Sequence, residues 1–213
     1  INRYWKWLNS AAKAEFGYSR IHNKPVLEIL IPRLSNTLLL MGSSLILALV
    51  FAIPMGIWAA IRPRSHIDFI INLIALGGAS IPIFWLGLLL IVVFSVWLGV
   101  LPASAMYEQS SNTLDRIKHL ILPVLALALA TIGQLTRHMR AAMIEVLGED
   151  YIRTARAKGL RNIRIIIHHA LPNAMMPVIT VITLSFGGLF SGALITETMF
   201  SYLGTGKLIF DSI

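Results

Sequence analysis

Cysteine is absent from these 213 residues, which excludes disulfides and any thiolate metal site. Charge is scarce: Asp, Glu, Lys and Arg make up 13% of the chain, where a soluble domain carries about 25%. No GxxxxGK[ST] phosphate loop occurs, so the chain is not expected to hydrolyse ATP itself. Acids are outnumbered, ten against eighteen Lys and Arg, leaving a net charge of +8. That excess could suggest nucleic acid, but much of it sits in one loop between apolar runs, where basic residues set membrane topology instead. With 56% hydrophobic residues, the composition is that of an all-α integral membrane protein sized for one helical bundle.

The apolar sequence comes in long runs. Residues 36–61 carry no charge over 26 positions. As a helix they would reach about 39 Å, enough for one tilted crossing. Pro54 is expected to kink this span, and Arg62, Pro63 and Arg64 end it. Residues 69–107 are again free of charge, and as a single helix would measure about 58 Å, far more than a bilayer needs. Gly77, Gly78 and Pro82 are the natural break points. A third run at 120–136 is expected to continue as helix through Arg137 and Arg140. A fourth occupies 172–198, where Gly188 and Gly192 form a small-xxx-small pair that lets another helix approach.

Loop charge then sets orientation. The 62–68 loop holds two arginines and residues 137–164 hold seven Lys or Arg, whereas in 108–118 Arg116 and Lys118 are offset by Glu108 and Asp115. The positive-inside bias places 62–68 and 137–169 in the cytoplasm and 108–118 outside. Residues 69–107 therefore cross once, and four spans are visible. Residues 1–35 fall outside despite carrying six Lys or Arg against two acids. A preceding span would resolve that conflict. Trp5 and Trp7 suit either the membrane interface or a partly buried surface segment.

Residues 150–172, DYIRTARAKGLRNIRIIIHHALP, form the longest strongly charged interval between two apolar runs. Asp150 is placed to cap a short helix. Lys158 followed by Gly159 marks that helix's end, with glycine free to turn left-handed. A second helical pattern covers 162–170, and Pro172 is expected to stop it. The six histidines do not suggest a metal site: His168 and His169 diverge by about 100° on a helix, and the others are scattered. Glu197 is an acid at the end of an apolar span, a functional candidate by default and equally able to snorkel to the interface.

The charged interval resembles the cytoplasmic loop of permease subunits in binding-protein-dependent ABC importers. That family's loop reads Glu-Ala-Ala, three residues, Gly, nine residues, Ile-x-Leu-Pro. Gly159, Leu171 and Pro172 fall at the matching spacing, and Ala155 matches the second alanine. Arg153 and Thr154 stand in place of Glu and the first Ala, and His169 in place of Ile. The form ARAKGL followed by HALPNA is similar to the dipeptide and oligopeptide branch. FGYS, KPV and RLSNTLLL resemble the lead-in to a span of such permeases, and the FSYLGTGKLIF tail resembles the outer segment before their final span. An acid-Thr-x-Phe in the family matches the position of Glu197 and assigns it no role.

The resemblance implies a polytopic bundle of the ABC importer type with a cytoplasmic helix-turn-helix coupling loop. The family usually has six spans, so residues 1–213 are expected to be one transmembrane domain lacking its first and last spans, consistent with a start at Ile1. It implies a permease subunit, not an enzyme, in a bacterial or archaeal cytoplasmic (inner) membrane. Its partners would be a second permease, two ATPase subunits holding ATP and magnesium, and an extracytoplasmic substrate-binding protein. Short peptides would pass by alternating access along spans 36–61, 69–107 and 172–198. Asp150, Tyr151, Arg153, Ala155, Arg156, Lys158, Gly159, Leu160, Leu171 and Pro172 would form the ATPase-coupling loop, with Ala155 the close contact. No catalytic, cofactor or metal residue is expected in the chain.

The rivals are a different cargo, an ion-coupled carrier, and a non-transporting membrane anchor or receptor. Within the same class, nickel or antimicrobial peptides could be the cargo. A carrier coupled to ions would need ionisable groups near mid-membrane, which these spans lack. The basic helices could instead simply lie on lipid headgroups, and spans on both sides keep them from DNA.

Overall fold

Charge-free runs can satisfy their backbone polar groups in lipid only as helices or closed barrels. The computed structural model of the chain, which describes residues 2–13, 16–105 and 112–212, takes the helical solution. A first helix, α1 (Asn2–Ala12), presents Tyr4, Trp5 and Trp7 with more than half of their surface exposed, so the two tryptophans are not the partly buried pair that one reading expected. A two-residue antiparallel pairing of β1 (Tyr18–Ser19) with β2 (Lys24–Pro25) follows and leads into α2 (Val26–Ile61). This helix starts ten residues before the charge-free run does, and it continues through Pro32 and Pro54.

One stripe of α2 is made of small residues: Ser44, Ala48, Ala52, Gly56 and Ala60 are all buried at a spacing of four. Their facing partner is α5 (Thr113–Leu147), which buries Ala126, Ala128, Thr136 and Met139 among others. The approach is close enough that a Cβ on Gly56 would stand 2.6 Å from Met139 Cβ and 2.9 Å from the Thr136 carbonyl. In lipid, where apolar faces gain nothing by leaving water, such backbone-to-backbone packing holds helices together. Hydroxyls on the spans bond back to their own helix, as in Ser43 to Leu39 O, Thr131 to Leu127 O and Thr183 to Ile179 O.

The run at 69–107 is broken where its composition suggested. α3 (His66–Ser80) ends at Ile81, whose extended backbone is the conformation a following proline imposes, and α4 (Ile83–Leu90) starts after Pro82. The two halves meet at 101°, and a π-helical stretch, Ile91–Trp97, extends the second. The pair still crosses once. Asp68 lies against Arg140 at one end of the bundle, and the Ala105 N–H donates to the Phe200 carbonyl (2.6 Å) at the other. Among the described residues, three helices are long and apolar enough to cross a membrane, and this bent pair makes four.

The chain continues through α6 (Asp150–Ala157), α7 (Asn162–Ile165), α8 (Leu171–Met199) and α9 (Thr205–Asp211). Apolar clusters mark two ends. At the tail end, Leu40, Leu122, Ala193, Phe200 and Tyr202 pack together. At the loop end, Ala60, Met139, Met143, Ile152, Ile165 and Ala174 do so. Hence α2 and α5 run in the same direction, and α8 and the broken span run against them. Part of the 108–118 loop, residues 108–111, lies outside the described residues.

Candidate functional sites at the two ends of the bundle

At the loop end, α5 stops at Leu147 and Glu149 takes the position before the first helical residue of α6. The expectation that Asp150 caps this helix is corrected: Asp150 is its first residue, where a negative charge favours the helix dipole without a capping bond. Its carboxylate accepts from Arg153 Nη1 at 3.2 Å, and its carbonyl accepts from Thr154 Oγ1 at 3.0 Å. Both charged side chains of this pair are largely in solvent, so the bond contributes little.

Gly159 adopts φ +79°, the left-handed turn expected of it. The Gly159 N–H donates to Arg156 O at 2.9 Å and the Leu160 N–H to Ala155 O at 3.3 Å. These are the two bonds of a Schellman C-cap, and Leu160 packs beside Ala155 in the same apolar cluster, as that motif favours. The chain is thereby turned sharply into α7.

Pro172 does not stop the second helix. Residues Ile166–Ala170 form a π-helical turn that runs straight into α8, with Pro172 in its first turn. A proline inside a helix lacks an N–H and collides with the carbonyl four residues back; a widened turn just ahead relieves both. So α7, the π turn and α8 form one continuous helical path from the loop into the membrane.

The loop has two faces. Ile152 and Ala155 turn inward against Met143, Ile165 and Ala170, and Ala155 is only 7% exposed. An alanine so placed braces α6 against α5, and the small side chain that made it the expected close contact faces inward. Asp150, Tyr151, Arg153, Thr154, Arg156 and Lys158 are exposed, Leu160 and Leu171 half-buried, and Pro172 exposed. A groove of about 320 Å³ runs between Tyr151, Thr154, Lys158, Leu160 and His169.

At the tail end, Glu197 is 0% exposed, so it does not snorkel. Its carboxylate accepts from Thr37 Oγ1 at 2.5 Å and from the Lys207 N–H at 3.1 Å. The tail folds over it: Thr205 N–H donates to Thr37 Oγ1 (2.8 Å), Asn36 Nδ2 to Leu203 O (2.9 Å) and the Tyr202 hydroxyl to Asn36 O (3.1 Å). A Cβ at Gly204 would overlap the Glu197 carboxylate, and one at Gly206 would lie 2.5 Å from Leu194 Cα. The glycines of LGTGK are therefore what lets the tail close over the acid.

A second buried acid was not singled out from sequence. Asp68, 4% exposed, accepts from Arg140 Nε at 2.5 Å and Nη2 at 2.7 Å, from Asn72 Nδ2 at 2.6 Å and from the Arg64 N–H at 2.9 Å. Ser65 caps α3 by accepting from the Asp68 N–H at 3.2 Å. A signal for half of this was present: Ser65-x-x-Asp68 has capping-box spacing. The other half was a charged residue on the α5 face that carries Gly133, which abuts Ala75 of α3.

Between these ends, a cavity of about 440 Å³ opens beside the break in the broken span. Ile83, Thr131, Gln134, His138, Ser185 and Gly188 line it, and the Ser185 hydroxyl has no partner. The cavity lies between α4, α5 and α8. Of the spans expected to line a path, 69–107 contributes Ile83 and 172–198 contributes Ser185 and Gly188, with α5 supplying the facing wall. Gly188 faces open space, and the surroundings of Gly192 lie outside the described residues.

Residues 52–213 match the family described as "Binding-protein-dependent transport system inner membrane component". The chain is 45% identical over 213 residues to the oligopeptide transport system permease protein AppB of Bacillus subtilis (strain 168), covering 99% of this chain and 67% of that one. It is 38% identical over 234 residues to the dipeptide transport system permease protein DppB of Escherichia coli (strain K12), covering 99% and 69%. It is also 38% identical over 212 residues to the glutathione transport system permease protein GsiC of Escherichia coli (strain K12), covering 100% and 67%. A crystal structure of an amino acid ABC transporter with histidines superposes with a TM-score of 0.61 at 17% identity, over 88% of this chain and 79% of that one, a likeness of fold.

Proposed function

Since this chain belongs to the family of binding-protein-dependent transport system inner membrane components, we propose that it is the permease subunit of an ATP-driven importer of short peptides. The cargo reading is supported by relatives named for oligopeptide, dipeptide and glutathione transport. In this reading a second permease completes the path, two ATPase subunits bind ATP and magnesium beneath the pair, and an external binding protein delivers the peptide.

The observation that carries the proposal is the construction of the loop. Its inner face, Ile152 and Ala155, is packed into the bundle. Its outer face presents Tyr151, Arg153 and Arg156, and Gly159 holds the angle between the two helices. A pair of helices that only lay on headgroups would need no such turn, whereas an element seated in a partner's groove does. Because α7 passes unbroken into α8, a push on the loop reaches a membrane span directly. ATP binding must favour one of the inward- and outward-open states over the other, and movement of this loop is where that difference enters.

An ion-coupled carrier is not favoured. Among the described residues the buried acids stand at the two ends of the bundle, Asp68 paired to Arg140 and Glu197 held by Thr37 and the tail, with neither free at mid-membrane. The test is reconstitution. The chain alone should turn over no ATP. With its permease partner, ATPase subunits and peptide-loaded binding protein in proteoliposomes, it should support ATP-dependent peptide uptake. Hydrolysis by the isolated chain, or uptake driven by an ion gradient without ATP, would refute the reading.

A further inference from the structure

The ion pair of Asp68 and Arg140 lies at the loop end of the bundle, between the loop's packing surface and the broken span. Arg140 projects from the loop end of α5. On the same turns of that helix, Met139, Ala142 and Met143 pack against Ile152, Ala155 and Ile165 of the loop. The end of α5 is thus gripped on one side by the loop's apolar face and on the other by the first turn of α3. From Asp68, α3 climbs along α5, with Ala75 against Gly133 and Gly78 against Leu129, to the 101° break that lies beside the cavity.

The two grips differ in kind. The loop side is apolar packing, which can slide. The α3 side is a two-pronged guanidinium–carboxylate contact, in which both prongs must break together for the helices to shift. Asn72 and the Arg64 N–H occupy the remaining acceptor positions of Asp68, which fixes the carboxylate's orientation. Such an arrangement is far more than holding α3 to α5 would demand, since small residues already bring these helices into contact.

We propose that Asp68 and Arg140 are positioning residues for energy coupling: they fasten the broken span to the end of α5, so that displacement of the loop moves the break beside the cavity. The proposal rests on the importer reading given above. It predicts that loosening the pair uncouples the machine. ATP is still hydrolysed, but the break no longer follows the loop.

The experiment uses the complete complex in proteoliposomes and measures labelled trialanine taken up per ATP hydrolysed, in Asp68→Asn, Arg140→Lys, Arg140→Gln and Asn72→Ala. Wild type must first show ATP-dependent uptake; failure there removes the importer reading, together with anything built on it, and is told apart from failure in the variants. With wild type active, Asp68→Asn and Arg140→Gln should lower uptake per ATP about tenfold, within the range of couplings between distant sites. Hydrolysis by the assembled complex should persist. Arg140→Lys keeps the charge without the fork and should fall between. Asn72→Ala leaves the pair but loosens the carboxylate's orientation, and should lower the ratio less than Asp68→Asn does, about fivefold, the low end of such couplings. It also decides the matter if Asp68→Asn does not assemble. A merely structural brace would lower the amount of complex and leave the ratio untouched. A wild-type ratio in every variant that assembles overturns the proposal.

Discussion

Gly159 offers a substitution whose effect can be worked from the backbone alone. Its φ is +79°, and an added Cβ would meet no atom of this chain within 4 Å. Any penalty inside the chain is therefore conformational and not steric: about 1–2 kcal/mol for an L-residue held left-handed. Asparagine escapes most of that penalty and β-branched valine bears it most heavily. A valine that relaxes to negative φ cannot keep both the Gly159–Arg156 and Leu160–Ala155 bonds, and α6 loses its fixed angle to α7. A shift of 1–2 kcal/mol changes the population of the correct turn about five- to thirtyfold. The spans that hold the protein in the membrane are untouched. We therefore expect Gly159→Val and Gly159→Asp to reach near-normal membrane levels while ATP-dependent peptide uptake falls about tenfold in the valine variant. Gly159→Asn and the exposed control Ala157→Ser should stay near wild type. If asparagine proves as damaging as valine, bulk against a partner and not backbone angle is what matters there. If valine transports normally with the ATPase bound, the turn is not part of the coupling element.

Three further outcomes are expected. In this cysteine-free chain, Asn112→Cys should react with an impermeant thiol reagent in intact cells and Asn162→Cys should not; the reverse pattern would invert the topology. Gly56→Leu forces a side chain into the 2.6 Å gap against Met139 and should lower the thermal midpoint of the purified protein, in keeping with overpacking costs of about 1–3 kcal/mol. An unchanged midpoint would mean that α2 and α5 can part more easily than their packing indicates. Glu197→Ala leaves the Lys207 N–H without its acceptor and the Thr37 hydroxyl with Thr205 Oγ1 alone, a loss of about 1–3 kcal/mol that Glu197→Gln should reduce in part, since its single amide oxygen replaces one of the two carboxylate oxygens that accept. Thermal unfolding in detergent compares the two, and equal midpoints would show that the acid does not hold the tail.

The spans and the loop turn were legible because each depends on residues close together in sequence. A charge-free run of 26 residues is far longer than a barrel strand and suits a membrane helix, and glycine after a basic residue announces the one conformation other residues resist. The misreadings were local rules overridden by local context. Pro172 looks like a stop, but a π turn five residues long makes room for it. Asp150 looks like a cap, but Glu149 takes that position. The start of α2 was hidden by Glu28, Pro32 and Arg33, which are poor membrane residues yet tolerable in helical turns beyond the bilayer. What composition and periodicity could not reach was pairing at a distance. Glu197 is buried only because Gly204 and Gly206 let the tail return across it to Thr37, 160 positions away in the chain. Ala155 satisfied the small-residue rule for a docking contact, but its side of α6 is decided by the apolar cluster it joins.

The separation of Asp68 from Arg140 has a consequence for how the protein is made. They stand seventy-two positions apart in the chain. At ribosomal speeds of about 5–20 residues per second, Asp68 exists for roughly 4–14 s before its arginine has been synthesised. An unpaired carboxylate near lipid would be pulled toward water and could drag the start of α3 with it. The groups that hold Asp68 in the meantime are all born with it: the Ser65 cap, the Arg64 N–H and the Asn72 amide lie within four residues. The nascent chain thus carries its own temporary cradle for the charge, and the arginine arrives at a carboxylate already aimed to receive it.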